Sequence, residues 1–541
     1  MIRAPLDQRE RDLGALADRP LDVLVVGGGI VGAGSALDAA TRGLRVGLVE
    51  RDDIAVGTSS RSSRLIHGGL RYLEQYRFGL VREALRERSR VLYLAPHLVS
   101  LQPLLFPLFG WPLVTRVFYQ SGMTLYDVLG ARHDGGWHRH LSVDEVLEHA
   151  PRMRRERLRG GLLFHDGMED DARYTLAVAR TAQADGATVV TRVRADGVVE
   201  EGGRVVGARV RDVLGDRDLE IRARVVIDAT GVWGADPASP LSGGTTRLLP
   251  SRGAHLVVPR DRIPSDVGLT IRVPGKVVFL VPWPHFWLIG TTDAPYDGPI
   301  DRPTAGRDEV DELLAAVNGV LDVDLARGDI VGTYAGLRPL IAPSGGSTVK
   351  ASREHRVVVE RNGLVRVSGG KYTTYRQMAE ETIDAALGVL GERAKDRPTG
   401  TPTRRLVGAA DRGDLDALAG RLAAEPGLSG PVAARLVARH GTDASAVVAI
   451  GRECNLLAPL VEGEEPIEAE IVWAARHELG LSLDDVLARR TRLVQELPDR
   501  GAAIAPRVAE ILGAELGWDE GRRSREISEF LDGANREFAV A

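Results

Sequence analysis

The sequence predicts an α/β fold class, α+β overall, in which a Rossmann-like domain is combined with an antiparallel β-sheet domain and a helical C-terminal domain. An apolar strand, a glycine turn, an Ala-rich helix and a second apolar strand follow one another from Asp22 to Glu50, which is a βαβ unit. Residues 248–292 alternate Val, Ile, Leu, Phe and Trp between Pro and Gly breaks, a pattern typical of antiparallel strands. Beyond residue 405, apolar residues recur at helical spacing.

The predicted nucleotide-binding domain is assembled from separated segments, because a strand followed by a glycine turn returns at residues 223–233 and again, with a helix, at 364–387. We expect residues 18–395 to form one region. Its nucleotide-binding segments are predicted at 18–95, 160–245 and 335–392, and the segments 96–159 and 246–334 are predicted to form the wall of a substrate cavity. Residues 396–405 are rich in Pro, Gly and Thr and are interpreted as a linker, so residues 406–541 form the helical domain.

The composition excludes several classes of protein. The 541 residues are 44% hydrophobic and 27% charged, as in a multidomain globular protein. The net charge of -5 provides no basic field for a nucleic acid, so none is expected as a partner. The single cysteine, Cys454, excludes a disulfide framework or a multi-cysteine metal site within the chain, and no metal is expected. The charged N-terminal segment lacks the pattern of a secretory signal, which predicts a cytoplasmic protein.

The turn after the first strand carries the clearest chemical motif. Gly27, Gly29 and Gly32 fit the spacing G-x-G-x-x-G between a strand and a helix. These glycines allow a tight turn, close approach of the backbone to a pyrophosphate, and close packing of helix on strand. The pyrophosphate would bind at the N-terminus of the helix. Glu50 ends the next strand, where it is placed to accept hydrogen bonds from ribose hydroxyls.

Two further features favour FAD over NAD as the dinucleotide. The loop after Glu50 carries hydroxyl groups at Thr58, Ser59 and Ser60 that can hydrogen-bond a diphosphate and a ribityl chain. A second apolar strand ends in Ala-Thr-Gly at Gly231. The alternative interpretation of the hydroxyl groups is that they cap the backbone of their own loop.

Taken together, the motifs show that the chain resembles the FAD-dependent glycerol-3-phosphate dehydrogenases of the D-amino-acid-oxidase-like flavoprotein superfamily. The matching stretches are GGGIVGAG, GTSSRSSRLIHGGLRYLE, MEDDARY, IDATGVW, GAHLVVP, LIGTTD, AGLRPL and SGGKYTTYR, together with AEIVWAARHELGLSLDDVLARRTRL in the helical domain. The resemblance implies non-covalently bound FAD, oxidation of sn-glycerol 3-phosphate to dihydroxyacetone phosphate, and electron transfer to a membrane quinone.

The resemblance also implies which residues surround the substrate. A phosphate dianion in a partly buried cavity needs several cationic donors, and the family motifs supply Arg71, Arg338 and Lys371. A solvated surface position is the alternative for each of these cations. Tyr72 is expected beside the substrate, and Thr373 lies in the same motif as Lys371.

The hydroxyl proton needs an acceptor, and a neutral imidazole is suited to that near pH 7. His255 is the first candidate and His67 the second, with Arg338 completing the predicted catalytic set. A histidine that merely packs on a strand is the alternative for His255, and covalent attachment of the flavin is the less favoured alternative for His67.

The segment GGKYTTYRQ is predicted to bind the flavin through Gly370 and through a helix N-terminus at Thr374. Thr374 and Gln377 have the T-x-x-Q spacing of a capping box, which predicts that the helix begins there. The positive end of the helix dipole would then stabilise negative charge on the reduced flavin.

The longest uncharged stretch, residues 98–114, is interrupted by three prolines, which argues against a spanning helix. Its apolar residues and a cluster of arginines at 152, 154, 155, 157 and 159 predict peripheral association with the inner face of the cell membrane, although a solvated arginine run beside a buried strand would give the same pattern. An oxygen-using glycerol-3-phosphate oxidase, an amine or amino-acid oxidase, a non-catalytic flavoprotein platform and a homodimer stay open as alternatives.

Overall fold

The computed structural model describes residues 4–69, 77–110, 122–128, 136–236, 239, 241, 246–274, 276–342 and 354–541. Its strands are β1 (Leu21–Val26), β2 (Val46–Glu50), β3 (Leu65–Ile66), β4 (Val99–Phe109), β5 (Arg139–Leu141), β6 (Leu158–Glu169), β7 (Thr188–Thr191), β8 (Val193–Glu201), β9 (Arg204–Asp212), β10 (Arg217–Asp228), β11 (Leu248–Pro259), β12 (Gly268–Val273), β13 (Lys276–Trp283), β14 (Phe286–Gly290), β15 (Ala294–Pro295), β16 (Gly332–Ile341), β17 (His355–Val359) and β18 (Val365–Gly369).

The helices follow the same order along the chain. They are α1 (Ala4–Asp18), α2 (Ile30–Thr41), α3 (Phe78–Leu94), α4 (Val143–His149), α5 (Asp171–Ala184), α6 (Arg307–Asn318), α7 (Tyr375–Leu390), α8 (Arg412–Ala423), α9 (Gly430–His440), α10 (Ala444–Glu453), α11 (Ala469–His477), α12 (Leu493–Glu496), α13 (Ala505–Leu516) and α14 (Glu520–Phe538). Residues 122–128 are also helical, and Asp485–Arg490 forms a π-helix.

The first sheet has at its centre the predicted βαβ unit. Strands run in the order β17-β18-β10-β1-β2-β7, and the neighbours from β18 to β7 are parallel. Helix α2 packs on β1 and β2 and lies against α5 and α7. Both faces of the central strands are covered, and Val25 and Leu48 are fully buried. This is why β1 and β2 are mostly apolar in sequence. The predicted Rossmann-like domain is confirmed.

The second sheet is largely antiparallel. Its strand order is β15-β11-β14-β13-β12-β4-β6-β3, with β16 paired to β11 and β5 paired to β6. Strands β3, β6 and β16 belong to this sheet, although most of their residues fall within segments predicted for the nucleotide-binding domain. The backbone hydrogen bonds of β6 to β4 and of β16 to β11 fix that placement.

The apolar stretch for which membrane contact is predicted forms a strand of the second sheet up to Phe109. Residues Val99–Phe109 form β4, which pairs with β6 and β12 inside the second sheet, and Leu104 and Leu105 are fully buried. These side chains therefore stabilise the core and provide no membrane surface. Residues 111–121 lie outside the described ranges. In the part of the chain that the structure describes, no helix is long and apolar enough to cross a membrane.

The C-terminal domain is helical, as predicted, and is built from α8 to α14 with the π-helix between α11 and α12. Its core includes the buried side chains of Leu436, Trp473 and Leu512. The predicted linker, residues 396–405, makes hydrogen bonds to the Rossmann-like domain. The hydroxyl groups of Thr399 and Thr401 donate to the Asp38 carboxylate, which anchors the segment on α2.

Candidate active site

One cavity of about 1070 Å³ collects most of the residues that the motifs single out. It is bounded by the β1–α2 turn, the loop 58–63, strands β11 and β16, and residues 367–373. Predicted site residues that line it are Gly29, Thr58, Ser59, His67, Gly231, His255, Arg338, Gly370, Lys371 and Thr373. Segments far apart in the sequence thus meet at one place between the two sheets.

The glycine turn has the shape that a bound dinucleotide requires. Gly27 has a φ of +112°, and a Cβ there would lie 2.6 Å from the carbonyl oxygen of Ala229. A Cβ on Gly32 would lie 1.9 Å from the Gly27 carbonyl oxygen, so strand and helix pack too closely for any side chain. Gly29, next to the Ser59 hydroxyl, faces the cavity. These three positions fit the predicted pyrophosphate cradle.

Helix α2 begins directly at this turn and presents its first N–H groups beside the hydroxyl loop. The Ile30 N–H donates to the Ser59 Oγ at 2.9 Å. The Thr58 hydroxyl donates to the Leu337 carbonyl at 2.6 Å, and the Ser60 hydroxyl to the Gly57 carbonyl at 3.4 Å. The Ser60 hydroxyl therefore caps the backbone of its own loop, whereas Thr58 bonds strand β16. Ser59 lies at the helix N-terminus, a position suited to binding an anion.

Glu50 lies behind the glycine turn rather than on the cavity wall. Its carboxylate accepts the Gly28 N–H at 2.6 Å and the Asp52 N–H at 2.8 Å. Burial raises the pKa of the Glu50 carboxyl to about 7, because a charged group loses hydration there. The carboxylate thus faces the turn from the end of β2, the position from which a ribose is bound in this class of site.

The segment 369–374 closes the opposite side of the cavity. Gly370 has a φ of +82°, and a Cβ there would meet the Met378 sulfur at 2.4 Å. Helix α7 begins at Tyr375, directly after Thr374 as predicted, but the capping-box prediction is wrong. A 3-10 turn, Tyr372–Thr374, runs into the helix, so the Thr374 hydroxyl donates back to the Lys371 carbonyl at 3.4 Å.

His255 lies at the centre of β11, paired in register with Gly290 of β14 and Tyr334 of β16. Its ring stacks on the Tyr334 ring, with the centroids 4.6 Å apart, and its Nε2 lies 2.8 Å from the Ser63 Oγ. Burial, together with the cations of Arg338 and Arg64, lowers the pKa of His255 to about 3. The imidazole is therefore neutral at pH 7 and able to accept a proton.

Arg338 projects from β16 into the same space, in register with Ser251. Its Nη1 donates to the Thr292 carbonyl at 3.1 Å and its Nη2 to the Thr291 Oγ1 at 3.1 Å. Asp293 pairs with it at 3.4 Å. These contacts fix the guanidinium on the cavity wall, where its planar donors can bind a phosphate.

The remaining predicted site residues divide into two groups. His67, half-buried, lies on the cavity wall with its ring 5.9 Å from that of Phe279, and Lys371 and Thr373 also line the cavity. Arg71 and Tyr72 lie outside the described residues.

Sequence reasoning missed several functional candidates. Ser63, which bonds His255, lies in the stretch GTSSRSSRLIHGGLRYLE, and Thr291 and Asp293 lie in LIGTTD, but no role is predicted for any of the three. Tyr334, whose ring stacks on His255, lies outside the matching motifs. A signal for Tyr334 does exist in the sequence. Tyr334 lies four residues before Arg338 on the same strand, so the two side chains share a face of that strand.

Comparisons with known proteins identify the family of the chain. A family model described as "FAD dependent oxidoreductase" matches residues 22–376, and one described as "C-terminal domain of alpha-glycerophosphate oxidase" matches residues 399–523. Glycerol-3-phosphate dehydrogenase 2 of Mycobacterium tuberculosis is 44% identical over 522 residues, which cover 95% of this chain and 88% of that protein. The human mitochondrial glycerol-3-phosphate dehydrogenase is 36% identical over 94% of this chain and 72% of its own length.

A solved structure is similar over the whole chain. The glycerol-3-phosphate dehydrogenase of Bacillus halodurans, crystallised with FAD, matches 99% of this chain and 98% of its own with a TM-score of 0.81 and 28% identity. The predicted cofactor, FAD, and the predicted flavoenzyme class are confirmed by these matches. At this identity and coverage, the chain belongs to the FAD-dependent oxidoreductases and, among them, to the glycerol-3-phosphate dehydrogenases.

Proposed function

We propose that this chain oxidises sn-glycerol 3-phosphate to dihydroxyacetone phosphate and passes the electrons to a membrane quinone. The observation that carries the proposal is the pairing, in one cavity, of a buried neutral imidazole, His255, with the cationic side chains of Arg338 and Lys371. A phosphate dianion needs such cations when it leaves water. An alcohol that loses a hydride also needs an acceptor for its hydroxyl proton.

The residues divide the work between binding and proton transfer. Arg338 holds the phosphate, with Lys371 as a second cation lining the same cavity. Ser63 holds the His255 ring through the 2.8 Å contact to Nε2, so the imidazole is oriented towards the cavity and can take the hydroxyl proton directly or through the Ser63 hydroxyl. FAD, when bound at the glycine turn, supplies the hydride acceptor. His67 is the second candidate for the proton acceptor.

The apolar side of the cavity supports a quinone as the electron acceptor. Leu80, Phe106, Met123 and Leu162 line it and belong to, or pack on, one apolar cluster beside the second sheet. These apolar side chains suit the apolar ring of a quinone.

Peripheral association with the inner face of the cell membrane is also part of the proposal. Its support comes from exposed apolar side chains and not from the apolar stretch within residues 98–114. Arg155 pairs with Asp144 at 2.8 Å, so part of the arginine cluster is neutralised locally. Phe78, Val128 and Trp137, however, are among the large apolar side chains that the described residues expose. Exposed aromatic and aliphatic groups of this kind insert at a lipid surface. Flotation with vesicles, compared between the parent chain and Trp137→Ser, tests this association.

The decisive experiment follows the flavin absorbance under anaerobic conditions after glycerol 3-phosphate is added. Rapid bleaching by glycerol 3-phosphate, with no bleaching by glycerol or by amino acids, is the expected result. Bleaching by an amino acid or amine instead would replace the proposed substrate by that of an amine-oxidising relative. A flavin that no substrate reduces would leave a non-catalytic flavoprotein.

The acceptor is tested separately on the reduced protein. We expect reoxidation by a short-chain quinone to exceed reoxidation by dissolved oxygen by a large factor. Equal or faster reoxidation by oxygen, with hydrogen peroxide formed, would make the chain a glycerol-3-phosphate oxidase.

A further inference from the structure

We propose that the segment Arg489–Gln495 of the C-terminal domain positions the cofactor loop, defined as residues 53–64. The loop carries Ser59, at the N-terminus of α2, and Ser63, which bonds His255. Contacts from the C-terminal domain reach the start, the middle and the end of this loop. The inference rests on the proposed role of the loop in binding FAD and does not depend on the identity of the substrate.

The start of the loop is fixed by two arginines on one carboxylate. Asp53 is fully buried. Its carboxylate accepts the Arg489 Nε at 2.5 Å and two donors of Arg490 at 2.6 and 2.8 Å. Removing the Asp53 carboxylate would break all three of these charged contacts in a buried site, so this carboxylate fixes both arginines against the start of the loop.

The middle of the loop is held by Arg492, whose side chain is fully buried. Its Nη1 donates to the Ser60 carbonyl at 3.1 Å, and its Nε and Nη2 donate to the Asp170 carboxylate at 3.1 and 2.8 Å. It also bonds Asp171, whose other carboxylate oxygen accepts the Ser62 N–H at 2.8 Å. One guanidinium thus fixes the backbone on both sides of Arg61.

The end of the loop has two further contacts with the C-terminal domain. The Arg64 Nη2 donates to the Gln495 Oε1 at 2.5 Å, and the Arg64 guanidinium lies 3.9 Å from the centroid of the Trp283 ring. Arg61, which lines the cavity, pairs with Glu537 of α14 at 2.5 Å.

The backbone of residues 489–495 departs from a regular α-helix, and this departure allows the contacts with the loop. Successive side chains of a regular α-helix point about 100° apart, yet both Arg489 and Arg490 reach Asp53 from the end of a π-helix. Arg492 has a φ of +70°, a left-handed conformation that costs a non-glycine residue energy. Irregular turns of this kind recur at functional sites.

Charged contacts at a buried interface contribute little to folding stability, but they fix the relative positions of the groups that they join. An apolar interface of the same size would be at least as stable, whereas planar guanidinium groups specify both distance and direction. Arg490, Arg492 and Gln495 are therefore positioning residues: they act through Asp53, Ser60 and Arg64 and not on the reacting atoms.

The test compares Arg492→Met with Asp443→Asn in the full-length protein. Asp443 pairs with Arg180 of α5 at 3.0 Å, so it also joins the C-terminal domain to the rest of the chain but away from the loop. Two quantities are measured without substrate: the dissociation constant of FAD, from flavin fluorescence, and deuterium exchange of the amides of residues 53–64. Thermal midpoints are recorded for both variants.

We expect Arg492→Met to weaken FAD binding at least tenfold and to speed exchange in residues 53–64 at least tenfold. Asp443→Asn should change neither by more than twofold, even where its thermal midpoint falls as far. Equal effects of the two variants, or normal FAD binding in Arg492→Met, would overturn the proposal.

If Arg492→Met does not fold, Gln495→Ala replaces it. Gln495 contributes a neutral side chain, so its loss leaves Arg64 stacked on Trp283 and disturbs the end of the loop alone. The expected result is a threefold or larger loss of FAD affinity with faster exchange confined to residues near Arg64. Unchanged exchange there would overturn the proposal.

Discussion

Replacing Arg338 by Met should remove most of the affinity for a phosphorylated substrate. The side chain presents both of its terminal nitrogens at the cavity wall, held by Thr291 and Thr292. A hydrogen bond to a charged group contributes about 1.5–3 kcal/mol. Two such bonds to a phosphate give about 3–6 kcal/mol, and since Lys371 stays in place we take the lower figure.

A loss of about 3 kcal/mol corresponds to roughly a hundredfold change in an equilibrium constant. We therefore expect the dissociation constant for glycerol 3-phosphate, obtained from stopped-flow reduction of the flavin at increasing substrate concentration, to rise on the order of a hundredfold. The limiting rate of reduction should fall much less, because in the proposed role Arg338 contacts the phosphate and not the reacting carbon.

Arg252→Met is the matched control. Arg252 lies on β11, paired with Leu337, the neighbour of Arg338. Its side chain, however, pairs with Glu309 at 2.7 Å and lies over the Tyr296 ring, away from the cavity. Its variant should bind glycerol 3-phosphate within threefold of the parent. A dissociation constant for Arg338→Met that stays within threefold of the parent would refute the placement of the phosphate at Arg338.

Three further predictions concern the same cavity. Gly32→Ala should abolish FAD retention after gel filtration, since its Cβ would lie 1.9 Å from the Gly27 carbonyl oxygen; a yellow variant with parent affinity would contradict this. His255→Gln should slow flavin reduction at least a hundredfold while His67→Ala slows it less than tenfold, and the reverse order would make His67 the proton acceptor. The folded pKa of His255, about 3, lies below its unfolded value, so the stability due to neutral His255 is complete above pH 6.5 and is lost as pH falls towards 3. Denaturant unfolding should therefore show the parent losing about 2 kcal/mol more than His255→Gln between pH 6.5 and 5, and parallel losses would refute the burial argument.

Local patterns were enough to predict the parts of the fold in which sequence neighbours interact. The glycine turn, its flanking strand and helix, and the acid at the end of β2 all lie within 30 residues, so spacing alone places Gly27 and Glu50 on one edge of the sheet. The apolar periodicity of the C-terminal domain likewise predicts helices because each helix buries one face.

Other features depend on partners that no local pattern reveals. The apolar run of β4 suits a membrane surface as well as a sheet core, and its pairing with β6, some 60 residues away, decides between them. The Thr374 hydroxyl has capping-box spacing, but the preceding 3-10 turn changes the direction of its backbone. Asp53 and Arg490 are more than 400 residues apart, so their contact could not be read from the sequence.

With the proposed roles of His255 and Arg338, the geometry around His255 would couple proton transfer to substrate binding. Burial and the cations of Arg338 and Arg64 keep the imidazole neutral but make it a weak base. A phosphate dianion bound at Arg338 offsets that cation and stabilises a nearby imidazolium. We expect the basicity of His255 to rise when the phosphorylated substrate is bound and to stay low when the cavity holds a neutral alcohol such as glycerol. Discrimination against glycerol then acts twice, once on binding and once on the readiness of His255 to accept the hydroxyl proton, so the phosphate contributes to catalysis as well as to affinity.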